Sequence, residues 1–496
     1  MAKANRHLEP ARSPLYRQVR VALERGISQG RYDPHAALPS SRALALELGV
    51  SRNTIMTAYQ ELIAEGFVVS RPRSGLYVNE EVHSHGPVSR TPTAEPARID
   101  WRARLRAEPD AEVPDVAKHT DWPHYPYPFI AGQVEAGSFP TLAWSRVLRD
   151  ALHPPHLHYS LRDGIAEDDP LLVELLCERI LPGRGIEATP DNVLITMGSQ
   201  EGLRLLAGAL LGPGTTAAVE EPGYVDARHV FLRAGASLVP LEVDGSGVVP
   251  PADLAGVDLL YLTPSHQHPT NATLSIGRRH HLLSLADRDD LVIVEDDYDS
   301  ELRYQGSPSP ALKGLDTSGR VVYLGTFSKF LAPGLRLGFV VAGAPLITHL
   351  RRERRYSVRH PPGHLQRAMA LFIASGQFQR AVRRQRIALR RKWEQMSRSL
   401  ERWFPFPVAT FPGGVSIWVP GPQGLDAVEL AALLRDQGVI IEPGDICYLD
   451  AASHRSDFRL GFAAIPLDAI EPGIRIVGRA LEDQLAARRS GPFGPR

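Results

Sequence analysis

The stretch TFSKFLAPGLRLG, residues 326–338, decides how this chain is read. It follows the β-branched apolar run Val321-Val322-Tyr323-Leu324, which has the composition of a buried strand. Upstream of Lys329 a second such run, Leu291-Val292-Ile293-Val294, ends in Glu295-Asp296-Asp297-Tyr298-Asp299. A lysine and an acid at the ends of two buried strands suit the chemistry of pyridoxal 5′-phosphate (PLP). The Lys329 amine would join the aldehyde as a Schiff base. The carboxylate would keep the pyridine nitrogen protonated, so that the ring draws electrons. Ser328 and Arg336 would offer a hydroxyl and a guanidinium to the phosphate.

Outward from this stretch, strands and helices alternate from about residue 125, which implies an α/β sheet with helices on both faces. Residues 193–197 read as a strand, and Gly198-Ser199-Gln200 opens a helix over 201–211. A small loop at a helix N-terminus can hold phosphate through backbone N–H groups and the helix dipole. Glu221-Pro222-Gly223 delivers Tyr224, a ring able to cover a cofactor, and the strand 259–262 leads into TPSHQHPTN, residues 263–271. The candidate residues recur at strand ends, where open α/β sheets bind ligands.

The N-terminal segment has another character. Residues 1–79 hold eleven Lys/Arg and six Asp/Glu, so 11 − 6 = +5, within a chain of 56 Lys/Arg and 56 Asp/Glu. Leu15, Val19, Leu23 and Ile27 fall at four-residue steps on one helical face, and Gly30 stops that helix. A second helix begins near LPSSR with Ser40 as its N-cap and Leu44 and Leu48 inward. A third starts at Ser51, with Ile55, Tyr59 and Leu62 inward and Arg52, Asn53, Thr57 and Gln60 outward. Such side chains suit a recognition helix: Arg for guanine edges, Asn or Gln for adenine, Thr for a phosphate or a thymine methyl. Ser51 and Thr54, at the helix start, and Arg42, on the helix before it, join the expected DNA contacts. Residues 67–70 and 76–78 read as two short strands whose turn carries Arg71 and Arg73, a basic wing for the phosphate backbone or minor groove.

Between these parts, residues 80–124 are rich in Pro, Ala and Glu without a sustained apolar period and read as a linker. The length calls for two or three domains. No apolar run approaches the roughly twenty residues that span a bilayer, and the first residues lack the apolar core of a signal peptide. Cys177 and Cys447, far apart, make neither a disulfide framework nor a metal site. A cytoplasmic protein without membrane or metal is expected.

Two resemblances sharpen the reading. PLYRQV, LPSSRALALELGVSRNTIMTAYQELIAEGF and SRPRSGLYV resemble the winged-helix DNA-binding domain of GntR-type regulators. Arg73 departs from that pattern, since the family usually has a small residue, often Gly, at its place. The order of elements after residue 125 resembles fold type I aminotransferases, and the whole chain resembles the MocR/GabR branch of GntR proteins. The resemblance implies a winged helix over 1–79, a linker over 80–124, and over 125–486 a PLP-binding domain with a mostly parallel central sheet. It implies that Lys329 carries PLP, Asp296 pairs with the pyridine nitrogen, Tyr298 bonds the ring hydroxyl and Tyr224 stacks on the ring. Ser199, Gln200, Ser328 and Arg336 would surround the phosphate, Tyr159 would reach a partner subunit's phosphate in a head-to-tail homodimer, and Arg459 would grip an effector carboxylate. His268 stands where the branch usually has Phe or Tyr, and Asn271 where it usually has Gly, so effector shape is expected to differ. Leu171-Leu172 replaces the Leu-Arg of the usual helix after Tyr159. The implied function is a PLP-dependent transcriptional regulator that binds operator DNA and responds to an amine, an amino acid or PLP itself. The alternative is a working aminotransferase with a DNA-binding appendage.

Overall fold

The computed structural model describes residues 14–83, 99–101, 103–105, 108–109, 113–116, 119–305, 309–327, 329 and 331–489. They form two compact units, Met1–Arg106 and Ala107–Arg496.

In the first unit, α1 (Leu15–Ser28) buries Val19, Leu23 and Ile27. Leu15 does not follow its expected face; it is 53% exposed, because the first turn after Pro14 lies beyond the packed part of the helix. Helix α2 (Ser41–Leu48) is capped by Ser40, whose hydroxyl accepts from the Ala43 N–H at 3.2 Å, and it ends at Gly49 with φ 66°. Such a cap is worth about 1 kcal/mol, and the left-handed stop suits glycine. Helix α3 (Arg52–Ala64) is capped in the same way by Ser51 and buries Ile55, Ala58, Tyr59 and Leu62. The Tyr59 hydroxyl donates to the Pro39 carbonyl at 2.8 Å and ties α3 to the entry of α2. The antiparallel hairpin β1 (Val68–Arg71) and β2 (Gly75–Val78) brings Val68 and Val78 into the same core. This is a winged helix.

The second unit is built on an eight-stranded sheet in the order Val193–Thr196, Gly338–Val341, Val321–Thr326, Val292–Asp297, Leu259–Leu262, Thr216–Glu221, Ser237–Asp244, Gly247–Val248. The four pairings from Val321–Thr326 across to Ser237–Asp244 are parallel, while the Gly338–Val341 strand runs antiparallel to both neighbours. Strands covered on both faces need apolar residues throughout, which is why Leu259–Leu262 and Val321–Thr326 are buried along their whole length. Large apolar clusters flank the sheet. A smaller sheet of Ser416–Val419, Phe458–Gly461 and Glu442–Pro443 stands apart from it. The fold is that of aminotransferases of fold type I, as the sequence implied. The helix expected over 201–211 begins earlier, at Ser199, and the strand before it stops at Thr196. Val113 and Val116, inside the stretch read as a linker, pack against Trp418 and Cys447. Among the described residues no helix is long and apolar enough to cross a membrane.

Candidate functional site

The Val292–Asp297 strand carries three consecutive acids, and its alternation sorts them. Glu295 accepts from the Leu312 and Lys313 N–H groups at 2.9 Å each, and Asp297 pairs with Arg184 at 2.7 Å and with the Tyr323 hydroxyl at 2.7 Å. Asp296 points to the opposite face. One of its oxygens, Oδ2, accepts from the Tyr261 hydroxyl at 2.8 Å; the other, Oδ1, is buried without a partner. Burial pushes Asp296 up to about 6 against the pull of that hydrogen bond and of Lys329. Lys329, half-buried, sits three residues past its strand with Nζ 5.6 Å from the centroid of the Tyr298 ring. Gly132, at φ 80°, leaves room beside the amine: a Cβ there would stand 3.9 Å from Nζ. Burial, then the charge of Arg459, lowers the Lys329 pKa, which favours a free amine able to act as a nucleophile.

Arg336 and the N-terminus of the Ser199–Leu210 helix come together. The guanidinium donates to the Met197 carbonyl at 3.0 Å and lies where a Cβ on Gly198 would be, 2.9 Å from Nη2. Gly198, at φ 79°, is therefore required twice, by its backbone conformation and by this approach. Ser199 and Gln200 open the helix, and Gln200 Oε1 is 3.2 Å from the Tyr224 hydroxyl, which also reaches Asp226 at 2.9 Å. The first N–H groups of a helix, its dipole and a guanidinium on one spot suit an anion. Ser328 lies outside the described residues.

Tyr224, His268 and Tyr298 form a line of edge-to-face rings, with centroids 5.2 Å and 6.3 Å apart. Arg459 closes its end: Nη1 donates to His268 Nε2 at 2.7 Å, and Nε donates to Glu442 Oε2 at 2.9 Å. Burial and then Arg459 hold His268 well below the usual imidazole range, so it is neutral; with Nε2 accepting, Nδ1 bears the proton, and it is buried without a partner. Asn271 is buried at φ 61°, and its amide donates to the Ser416 carbonyl. Tyr159 is elsewhere. The guanidinium of Arg367 lies 4.0 Å from its ring centroid and Arg162 lies 5.4 Å away; among the described residues none of its contacts reaches Lys329, Asp296 or Arg336.

In the first unit Arg42, Arg52, Asn53, Thr57, Arg71 and Arg73 are all exposed. Ser51 and Thr54 are engaged in the helix cap, Ser51 accepting from the Thr54 N–H at 3.1 Å and sharing a 2.8 Å bond with its hydroxyl. The Thr57 hydroxyl donates to the Asn53 carbonyl at 3.0 Å. Arg52 reaches Ser41 at 3.3 Å, and Arg71 pairs with Glu80 at 3.1 Å while lying over Tyr77. Arg73 holds φ 62° at the wing tip.

Sequence reading missed Tyr261 and Glu442. Tyr261 sits in an apolar run, and nothing local says that its strand neighbours that of Asp296. Glu442 did leave a trace, an acid ending the apolar Val439-Ile440-Ile441.

Comparison with known proteins assigns a family to each part of the chain. Residues 15–78 match the bacterial regulatory proteins of the gntR family, and residues 153–477 match aminotransferase class I and II. The HTH-type transcriptional regulator TauR of Rhodobacter capsulatus is 42% identical, over 94% of this chain and 96% of its own. The probable rhizopine catabolism regulatory protein MocR of Rhizobium meliloti is 37% identical over 75% of this chain and 74% of its own. Among solved structures, LysN of Thermus thermophilus, an α-aminoadipate aminotransferase complexed with N-(5′-phosphopyridoxyl)-L-leucine, superposes with a TM-score of 0.69. It is 26% identical and covers 78% of this chain and all of its own.

Proposed function

Because the chain belongs to the MocR-type HTH transcriptional regulators, which join a gntR-family reader to an aminotransferase class I and II domain, we propose that it binds PLP at Lys329 and changes its operator binding when a small amine or amino acid enters that site. The observation that carries this reading is the buried, unpartnered Oδ1 of Asp296, with Lys329 near enough to act on its charge. A buried carboxylate oxygen costs free energy unless a donor meets it, and a protonated pyridine nitrogen is such a donor. The cradle of Gly198, Ser199 and Arg336 suits the phosphate, with Gln200 beside it and Ser328 proposed as a further hydroxyl. Tyr224 and Tyr298 flank the ring space, and Tyr298 supplies a hydroxyl for the ring oxygen. When bound, PLP would supply an electrophilic carbon open to amines, with the Lys329 amine as its point of attachment to the protein. Arg459 and His268 then face the rest of the effector.

Operator recognition rests on α3. Arg52 and Asn53 are proposed for base edges, Thr57 for its outward methyl, and Arg42, Arg71 and Arg73 for phosphates. Ser51, which caps the helix, and Thr54, whose N–H and hydroxyl it engages, act there through the helix N-terminus. The proposed division is a reader over 1–79, a linker over 80–124 and the PLP domain over 125–486, in a cytoplasmic homodimer. Exposed Leu157 and Leu161, on the helix of Tyr159, and exposed Leu142 and Leu152, before it in the chain, support a covered surface there, across which Tyr159 would reach a partner subunit's phosphate in a head-to-tail arrangement.

The test is a titration of the PLP-loaded protein with amines and amino acids, followed by visible absorption and, in parallel, by binding to DNA from its own upstream region. A spectral change with a matching change in DNA affinity is expected. A response to PLP alone would make the cofactor the signal, and sustained conversion of amino donor to keto acid would favour the aminotransferase reading.

A further inference from the structure

We propose that Glu442 decides which effectors the site accepts, by occupying Arg459 until an anionic group displaces it; this rests on the sensing reading above. Glu442 and Arg459 face each other in register across the antiparallel strands Glu442–Pro443 and Phe458–Gly461, so their pairing is set by the sheet and not by chance rotamers. The carboxylate is fixed a second time, because the same oxygen that takes the Arg459 Nε–H also accepts from the Ala131 N–H at 3.1 Å. Ala131 adjoins Gly132, the residue that leaves room beside the Lys329 amine. The pair therefore borders the reactive nitrogen, and both its side chains are largely buried, 14% and 17% exposed.

A guanidinium grips a carboxylate with two parallel hydrogen bonds along one of its edges. In Arg459 the Nε–Nη2 edge is half taken by Glu442, and Nη1 is bonded to His268. An incoming acid gains the two-pronged grip of the Nε–Nη2 edge by removing Glu442. His268 is held between the rings of Tyr224 and Tyr298. Glu442 keeps a second donor, Ala131, when Arg459 leaves it. Glu442 is thus the group that yields, and while it stays its charge repels acids and attracts a second ammonium.

The test compares three short amines of equal chain length whose far ends are neutral, cationic and anionic: propylamine, 1,3-diaminopropane and 3-aminopropanoate, with their longer homologues. Each is titrated into PLP-loaded wild type and Glu442→Gln, with absorption and DNA binding as readouts. The glutamine keeps the size of the side chain and an oxygen for Ala131, and unchanged PLP content and melting temperature serve as the check on folding. In the variant the half-saturating concentration of the amino acids should fall by about tenfold, that of the diamines should rise, and that of the monoamines should stay. Equal changes for all three classes, or none, with a responsive wild type would overturn the role of Glu442 and leave the sensing reading standing. A wild type that answers to no amine would overturn both.

Discussion

Tyr261→Phe should move the acid limb of cofactor binding toward neutral pH. The Tyr261 hydroxyl makes the 2.8 Å hydrogen bond to Asp296 Oδ2, while Oδ1 has no partner. Burial already pushes Asp296 up to about 6 with that bond in place. A hydrogen bond to a charged group contributes about 1.5–3 kcal/mol, and one pH unit corresponds to about 1.4 kcal/mol. Loss of the hydroxyl should therefore raise the Asp296 midpoint by about one to two pH units. The ring remains, with its edge-to-face contact to Phe231 at 5.7 Å, so the fold should be kept. PLP binding, followed by visible absorption between about pH 5 and about pH 9, needs the ionised carboxylate and should show the same displacement. A binding midpoint within about 0.3 pH units of the wild type would refute the reasoning, because the buried carboxylate would then not govern the ring nitrogen.

Asp296→Asn should make the cofactor-free protein more stable at neutral pH by at most about 3 kcal/mol, yet unable to retain PLP on gel filtration. The sign follows from the raised folded pKa: the stabilisation that Asp296 offers is complete below its unfolded value and is lost as pH rises through about 6. Lys329→Ala should leave no borohydride-stable attachment of PLP to the protein, and a retained adduct by mass spectrometry would point to another lysine. Arg73→Gly should relieve the left-handed backbone at φ 62°, a gain of about 1 kcal/mol in the first unit by thermal melting. The same change should weaken binding to all DNA sequences alike and reduce the salt slope by about one.

The residues that were legible in the sequence are those whose chemistry and setting are both local. Lys329 and Asp296 lie at the ends of β-branched runs, Arg336 lies in the same short stretch as Lys329, and the small residues before the Ser199–Leu210 helix suit an anion. Tyr261 and Glu442 were not legible, because their meaning comes from a neighbouring strand, and strand order is a property of the whole chain. Ser51 and Thr54 show a different ambiguity: a hydroxyl at a helix start reads the same whether it caps the helix or meets a phosphate, and here Ser51 caps while the Thr54 hydroxyl bonds that of Ser51. Arg73, where the resembled family usually has a small residue, often Gly, and Asn271, where it usually has Gly, both have positive φ, at 62° and 61°. The resemblance marked these places, and backbone sterics explain them.

Lys329 follows a strand of the eight-stranded sheet, whereas Arg459 belongs to the three-stranded one, and among the described residues the two sheets share no strand. On the sensing reading, a molecule held by its amine at Lys329 and by its acid at Arg459 would bridge the two sheets like a tie-rod, and the span between its two functional groups would have to fit the gap between them.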